Sequence, residues 1–394
     1  MRGTHPTLQR PEVRSILEQP YGRFSDAEYA RRREALAGVM QRHGCDALLL
    51  AGEQRAFNGI YWLTGWPTST EAFAIFVPGE RDILFVEHYN HVPNARTLAP
   101  DADVRWGERK GASRTIEELQ RRGARRVGFM GLVAWAKMRQ LGDAFDLVDL
   151  GSEYAHLRMR KSDEEIEWLR IGAALSDLGI EALLDGARIG MTERELGALV
   201  EREYHALGGS TTIHFIGITS MENPSLCVPC QHHSSRRLQQ GDVMFVEFTA
   251  QFWDSGGQVL RTFAVGTEPT PLYRDLYATA EAAFDAITGV LRAGVTAREI
   301  VEASGVIEAA GFSTYDDILH GFGGGYWPPV LASRSRPAAP VPDMTLEANM
   351  TVVVQPNVIT RDERAGVQLG EMVRITPDGF ERMHHAPWGF LRIG

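Results

Sequence analysis

The sequence predicts an α+β protein of two domains, an α/β domain over residues 1–157 followed by an α+β domain over residues 158–394. Three observations carry this reading. Short apolar runs alternate with amphipathic helical stretches in the first part, and long capped helices are segregated from alternating strands in the second. The chain has 394 residues, 44% of them hydrophobic, which suggests two cores rather than one.

In the first domain, residues 26–43 carry helical spacing with many charges. CDALLLAG (45–52) reads as a buried strand, and AFAIFVPG (72–79) and DILFVEH (82–88) as two more. SRTIEELQRRG (113–123) is a short helix, followed by strands RRVGFMG (125–131) and FDLVDL (145–150).

In the second domain, Ser162 with Glu165 three residues on is a capping box. It opens a helix whose Ile166, Leu169, Ala173 and Ile180 share a face, with Gly186 as its stop. Thr192 with Glu195 repeats the signature for a helix that Gly208 ends. Two more helices are expected over residues 272–291 and 296–310. In GDVMFVEFTAQFW (241–253) Glu247, Thr249 and Gln251 share one face, and Val246, Phe248 and Ala250 the other. NMTVVVQPNVIT (349–360) and GVQLGEMVRIT (366–376) are further strands, and RSRPAAPVP (334–342) is a Pro-rich surface loop.

Composition excludes several function classes. Lys plus Arg is 41 and Asp plus Glu is 51, a net charge of -10, so no basic excess exists to track a nucleic acid. The longest apolar runs are strand-sized, so no membrane partner is expected. The N-terminal MRGTHPTLQRPEVRSILEQ has no apolar signal core. Three cysteines, Cys45, Cys227 and Cys230, make no disulfide framework, and a cytoplasmic location fits best.

A set of motifs runs through the second half in a fixed order: RMRKSDEEIEWLRIGAALSDLGIEAL, GMTERELGALVE, QQGDVMFVEFTAQFW, LRTFAVG, HGFGGGYW, NMTVVVQP and GVQLGEMVRITPDG. Together they resemble the creatinase, prolidase and methionine aminopeptidase superfamily. The resemblance implies a creatinase-like N-terminal domain and a C-terminal pita-bread domain with a curved antiparallel sheet and flanking helices. It also implies a homodimer. Metal-dependent members hold two divalent ions with two Asp, one His and two Glu. Here Glu247 stands at the first Asp and Gln258, eleven residues on, at the second. His320 keeps the His, Gln355 before Pro356 replaces the first Glu, and Gly370 the second, with Glu371 one step along on the opposite strand face. One Glu and one His do not offset two dications, so neither metal nor other cofactor is expected.

Without metal, the site must rely on acid–base or covalent work. Glu247 is then a base or nucleophile, or else a core Glu bonded to Arg261 or to a backbone amide. His320 and His232 are candidate proton carriers. Gln258, Gln355, Cys230, Tyr326, Trp327 and Glu371 are candidate substrate contacts. In CVPCQHH (227–233) the readings are a site-facing His232, a site-facing Cys230, a zinc cluster or an inert loop. His384 and His385 read as an exposed or packed pair.

The expectation is a small-molecule enzyme: a metal-independent, creatinase-like hydrolase of a C–N bond, resembling creatinase and ectoine hydrolase rather than a peptidase. The alternatives are a metal-dependent Xaa-Pro-type peptidase with an altered site, a non-hydrolytic lyase, and a non-catalytic binding module.

Overall fold

The computed structural model describes residues 5–53, 58–336 and 340–394. The chain forms two compact units, Gln19–Arg158 and a second that joins the residues up to Glu18 to Met159–Gly394.

In Gln19–Arg158 the strands are β1 (Ala47–Gly52), β2 (Ala72–Phe76), β3 (Ile83–Val86), β4 (Asp103–Trp106), β5 (Arg126–Gly131) and β6 (Asp146–Asp149). Among the described residues they form one sheet in the order β4-β3-β2-β1-β5-β6. β1 runs parallel to β5 and antiparallel to β2. Every residue of β1 is buried, which is why its sequence is an unbroken apolar run. Ser25 caps the helix Asp26–His43 by accepting from the Glu28 amide, and Gly44 ends it in the left-handed conformation. The four-residue β4 and the helix Trp135–Ala144, which buries only Leu141 fully, were not anticipated.

The second unit opens with the helix Asp163–Gly186, and both bonds of its expected capping box are present. The helix Glu193–His205 begins with a second box, Thr192 with Glu195. A third helix spans Pro271–Val290. The stretch expected as one helix over 296–310 splits into Ala297–Ala303 and Val306–Ala309. At the break, the Ser304 hydroxyl donates back to the Val301 carbonyl and competes with the helical ladder.

The strands of this unit are β7 (Gly209–Ser220), β8 (Asp242–Phe252), β9 (Ser255–Val265), β10 (Ser313–Thr314), β11 (Asp317–Phe322) and β12 (Tyr326–Ala332), then β13 (Thr351–Val354), β14 (Val358–Ile359), β15 (Gly370–Ile375), β16 (Phe380–Arg382) and β17 (Leu391–Ile393). Among the described residues the main sheet runs β12-β11-β13-β15-β9-β8-β7, with β16 beside β15 and β17 beside β9. All these pairings are antiparallel except β17 with β9. The strand expected over 349–360 is interrupted between β13 and β14, where Pro356 cannot donate to a ladder. Phe245, Tyr273, Leu276, Ile287 and Val352 belong to the largest apolar core. Of the Pro-rich loop at 334–342, residues 337–339 lie outside the described residues. Among the described residues no helix is long and apolar enough to cross a membrane.

Candidate active site

β8 and β9 form a long hairpin in which Thr249 stands opposite Gln258 and Glu247 opposite Leu260. Directly opposed residues share a face, so Glu247 and Gln258 lie on the same side. Their side chains meet: Gln258 Nε2 donates to Glu247 Oε1 at 2.7 Å and to Gln355 Oε1 at 3.1 Å. Gln355 also lies close enough to His320 to act on its ring. Strands β8, β9 and β11, with the segment after β13, thus bring Glu247, Gln258, Gln355 and His320 into one cluster. Gln258 is 1% exposed, and its Oε1 has no hydrogen-bond partner among the described residues.

The electrostatics of the cluster are lopsided. Burial pushes the Glu247 carboxyl up to about 8, and the charges of Asp316 and Asp317 add to this. Burial pushes His320 down to about 4, so the ring is neutral. Its Nδ1–H donates to the Gly321 carbonyl at 3.2 Å, which leaves Nε2 as an acceptor. Tyr326 stacks on the His320 ring with centroids 4.1 Å apart and donates its hydroxyl to Asp317 Oδ1 at 3.0 Å. Register irregularities on either side of Leu319 and His320 break the strict alternation of β11, and Tyr326 reaches both Asp317 and His320. Burial raises Asp316 to about 6 and also raises Asp317. Sequence reasoning missed this aspartate pair. Its signal was two adjacent acids in an apolar strand just before His320.

Glu371 corrects the expectation of a substrate contact. It stands opposite Val259, on the face of Arg261 rather than that of Gln258. Arg261 Nη2 donates to its Oε2 at 2.8 Å, and Arg382 donates to both carboxylate oxygens. Burial alone would raise its pKa; the Arg382 hydrogen bonds and the Arg261 charge outweigh that and hold it below the usual carboxylate range. Glu371 is therefore committed to a buried ion pair. Gly370 supplies no side chain, and none fits there: a Cβ would stand 2.2 Å from the Val354 carbonyl oxygen and 2.8 Å from Gln355 Cα.

This donor set does not fit a centre of two divalent ions. Of the positions aligned with the family ligands, only Glu247 and His320 offer an anionic or imidazole donor, and Gln258 spends its amide nitrogen on its neighbours. Among the described residues no three His, Cys, Asp or Glu side chains converge closely enough to hold a metal ion.

The other candidates fall elsewhere. Cys230 and His232 are exposed on the loop before β8, outside the hydrogen-bonded cluster. Their neighbour His233 turns inward to donate to the His214 carbonyl. Trp327 is partly buried against the core, its Nε1 donating to the Gly323 carbonyl. The glycines 323–325 all have positive φ and shape the turn between β11 and β12. His384 is buried and donates to Asp177 Oδ1 at 2.7 Å, while His5 donates to Oδ2 at 3.2 Å. No short-range pattern marks a contact among residues 5, 177 and 384.

The pattern of Metallopeptidase family M24 matches residues 167–377, and that of the Creatinase/Prolidase N-terminal domain matches residues 32–160. An Xaa-Pro dipeptidase of Lactobacillus delbrueckii subsp. lactis is 24% identical over 365 residues, covering 89% of this chain and 96% of its own. One from Pyrococcus horikoshii is 22% identical, covering 87% and 94%. Among solved structures, the X-Pro aminopeptidase of Thermotoga maritima superposes with a TM-score of 0.80 at 18% identity, over 92% of this chain and 99% of that one. The Xaa-Pro dipeptidase of Bacillus anthracis gives 0.79 at 21%, over 93% and 100%. The creatinase-like N-terminal and pita-bread C-terminal architecture is thereby established. The expectation of a metal-free hydrolase of creatinase or ectoine hydrolase character, and of a non-peptidase, is overturned, because these relatives are Xaa-Pro peptidases.

Proposed function

We propose, on the premise that the chain belongs to metallopeptidase family M24, that it is an Xaa-Pro-type peptidase with an altered site, acting on a short peptide held beside Glu247 and His320. The observation that carries this reading is the hydrogen-bonded set of Glu247, Gln258 and Gln355, with His320 beside it, in a chain whose near-full-length relatives are Xaa-Pro dipeptidases.

Each residue has a role that its environment supports. With its carboxyl pushed up to about 8, Glu247 holds its proton at neutral pH. It then serves as the acid that protonates the leaving proline nitrogen, rather than as the base or nucleophile expected from the sequence. Neutral His320 offers Nε2 to take the proton of the water whose oxygen bonds to the scissile carbonyl carbon as the carbon–nitrogen bond breaks. Gln258 fixes the Glu247 carboxyl and holds Gln355 beside it. The reading also expects a homodimer, which light scattering on the purified protein checks.

Hydrolysis of a panel of Xaa-Pro dipeptides by the native chain and by Glu247→Gln tests this assignment. Turnover in the native chain and its loss in the variant, with stability no lower than that of the native chain, is the expected result. Equal turnover in both removes Glu247 from the chemistry. Metal analysis of the same preparation is expected to find fewer than two tightly held ions per chain; two would overturn the assessment of the donor set.

A non-catalytic peptide-binding module is the second reading. Gly370 favours it, because no side chain fits where the family holds a ligand. Dipeptide binding without product release would select it.

A further inference from the structure

Asp177 lies within the helix Asp163–Gly186 and has no part in the proton roles assigned above. Its side chain is fully buried, and a buried carboxylate is retained only where donors replace water. His5 Nε2 donates to Oδ2 at 3.2 Å, His384 Nδ1 to Oδ1 at 2.7 Å, and the His385 amide to Oδ2 at 2.6 Å. The rings of His5 and His384 are buried with it. Residue 5 precedes the stretches that match the two family patterns, and residues 384–388 follow them, so those patterns do not account for the bridge.

The backbone beyond His385 leads from this bridge to the back of the site. The Ala386 and Pro387 carbonyls accept from Arg261 Nη2 and Nε at 3.3 and 2.7 Å. The Trp388 ring packs on the Arg261 and Arg382 guanidinium groups, which lie 4.8 and 4.6 Å from its centroid. Arg261 stands on β9 directly after Leu260, the residue opposite Glu247, and on the same strand as Gln258. Its Nη1 donates to the Gly370 carbonyl at 2.9 Å. Gly370 in turn packs so closely on Gln355 that a Cβ would stand 3.1 Å from the Gln355 Cβ. A continuous series of contacts therefore runs from His5 through Asp177, residues 384–387 and Arg261 to the two backbone segments that carry Gln258 and Gln355. Small displacements of such segments cost rate, because the groups they carry must meet the reacting atoms in one geometry.

We propose that His5, Asp177 and His384 are positioning residues: they clamp residues 384–388 behind β9 and so hold Gln258 and Gln355 in place beside Glu247 from the opposite face of the sheet. The kinetic side of this inference rests on the peptidase reading; the structural side does not. His5 brings the segment that follows it into the clamp as a strap. Arg10 of that segment pairs with Glu167 of the same helix at 2.9 Å, so the strap keeps a second anchor when the His5 ring is replaced.

The test compares the full-length native chain with His5→Leu, His384→Leu, His5→Gln and His384→Asn, by hydrogen–deuterium exchange and by turnover of Ala-Pro. The Gln carboxamide nitrogen stands in for the ring Nε2 and the Asn carboxamide nitrogen for Nδ1, so these two variants keep the donor and lose the ring. Both Leu variants are expected to exchange faster over residues 355–359 and 366–371, which touch neither histidine. Their kcat is expected to fall about 10–100-fold with KM nearly unchanged. The Gln and Asn variants should recover both properties. Should His384→Leu fail to fold, His5→Leu, with Arg10 still anchored, decides. Faster exchange confined to residues 5–17, 173–181 and 384–388 overturns the clamp and leaves a merely structural bridge, as does a kcat loss that neither Gln nor Asn restores. A native chain that does not cleave Ala-Pro removes the peptidase reading, and the exchange pattern then decides the clamp by itself. Native-like kcat and exchange in both Leu variants remove the clamp and keep the peptidase reading.

Discussion

Glu247 on β8 and Glu371 on β15 lie in one sheet with β9 between them, both nearly inaccessible to solvent, and they ionise in opposite directions. Glu371 has Arg261 and Arg382 at hydrogen-bond distance and stays charged. Glu247 has an amide at 2.7 Å and two aspartates in its field, and it keeps its proton. Burial penalises both carboxylates, and at Glu371 the hydrogen bonds and charges of two arginines offset that penalty. The difference teaches that one face of the sheet is organised for stability and the other for a ligand. At Glu371 the donors are complete. Around Glu247 the Gln258 Oε1 and Asp317 Oδ2 have no partner among the described residues.

The largest expected effect is on the stability side. Glu371→Gln leaves the fully buried Arg261 guanidinium without its carboxylate and should cost about 3–5 kcal/mol in denaturant unfolding. A loss below about 1 kcal/mol would mean that Arg261 is satisfied by its backbone carbonyl partners alone. Gly370→Ala sharpens the same contrast. Its Cβ meets Val354 and Gln355 backbone, so it should cost about 1–3 kcal/mol and disturb the Gln355 end of the cluster.

The pH dependence separates the two glutamates by sign. Glu371 has a depressed folded-state pKa, so its contribution is present above the unfolded value of 4.5 and is lost as pH falls through the folded value. Glu247 is the reverse case. Between 4.5 and about 8 the folded state holds a proton that the unfolded chain has released. Stability therefore falls as pH rises through that window, by up to about 1.4 kcal/mol per pH unit. Asp316, raised to about 6, adds to the lower part of the window. Glu247→Gln should flatten the slope, measured by denaturant unfolding at several pH values across the window. A variant with the native slope would show that Glu247 is ionised in the fold.

What the sequence disclosed follows the range of the forces involved. The capping boxes at Ser162 and Thr192 are local and were legible, as was the face shared by Glu247 and Thr249. Strand alternation also separated Glu371 from the pocket before any contact was known, although the residue was still grouped with the substrate contacts. Glu247, Gln258, Gln355 and His320 were found because a family pattern marks their positions. Asp316 and Asp317 have no such mark, and their importance comes from burial beside Glu247, a tertiary property. The tie of Asp177 to His5 and His384 was equally invisible. β7 passed unread although it pairs with β8 along its length, because its apolar alternation is weak at the Gly209 end.

The central claim is that Glu247 serves the ligand and not the fold. Its most direct test is turnover of an Xaa-Pro dipeptide by Glu247→Gln, read beside the variant's unfolding free energy at about pH 8, near the carboxyl's own titration. The account predicts a fall in kcat of about 10²–10⁴-fold with stability equal to or above that of the native chain. Unchanged kcat together with a lower unfolding free energy would contradict it, and would make Glu247 a structural residue like Glu371.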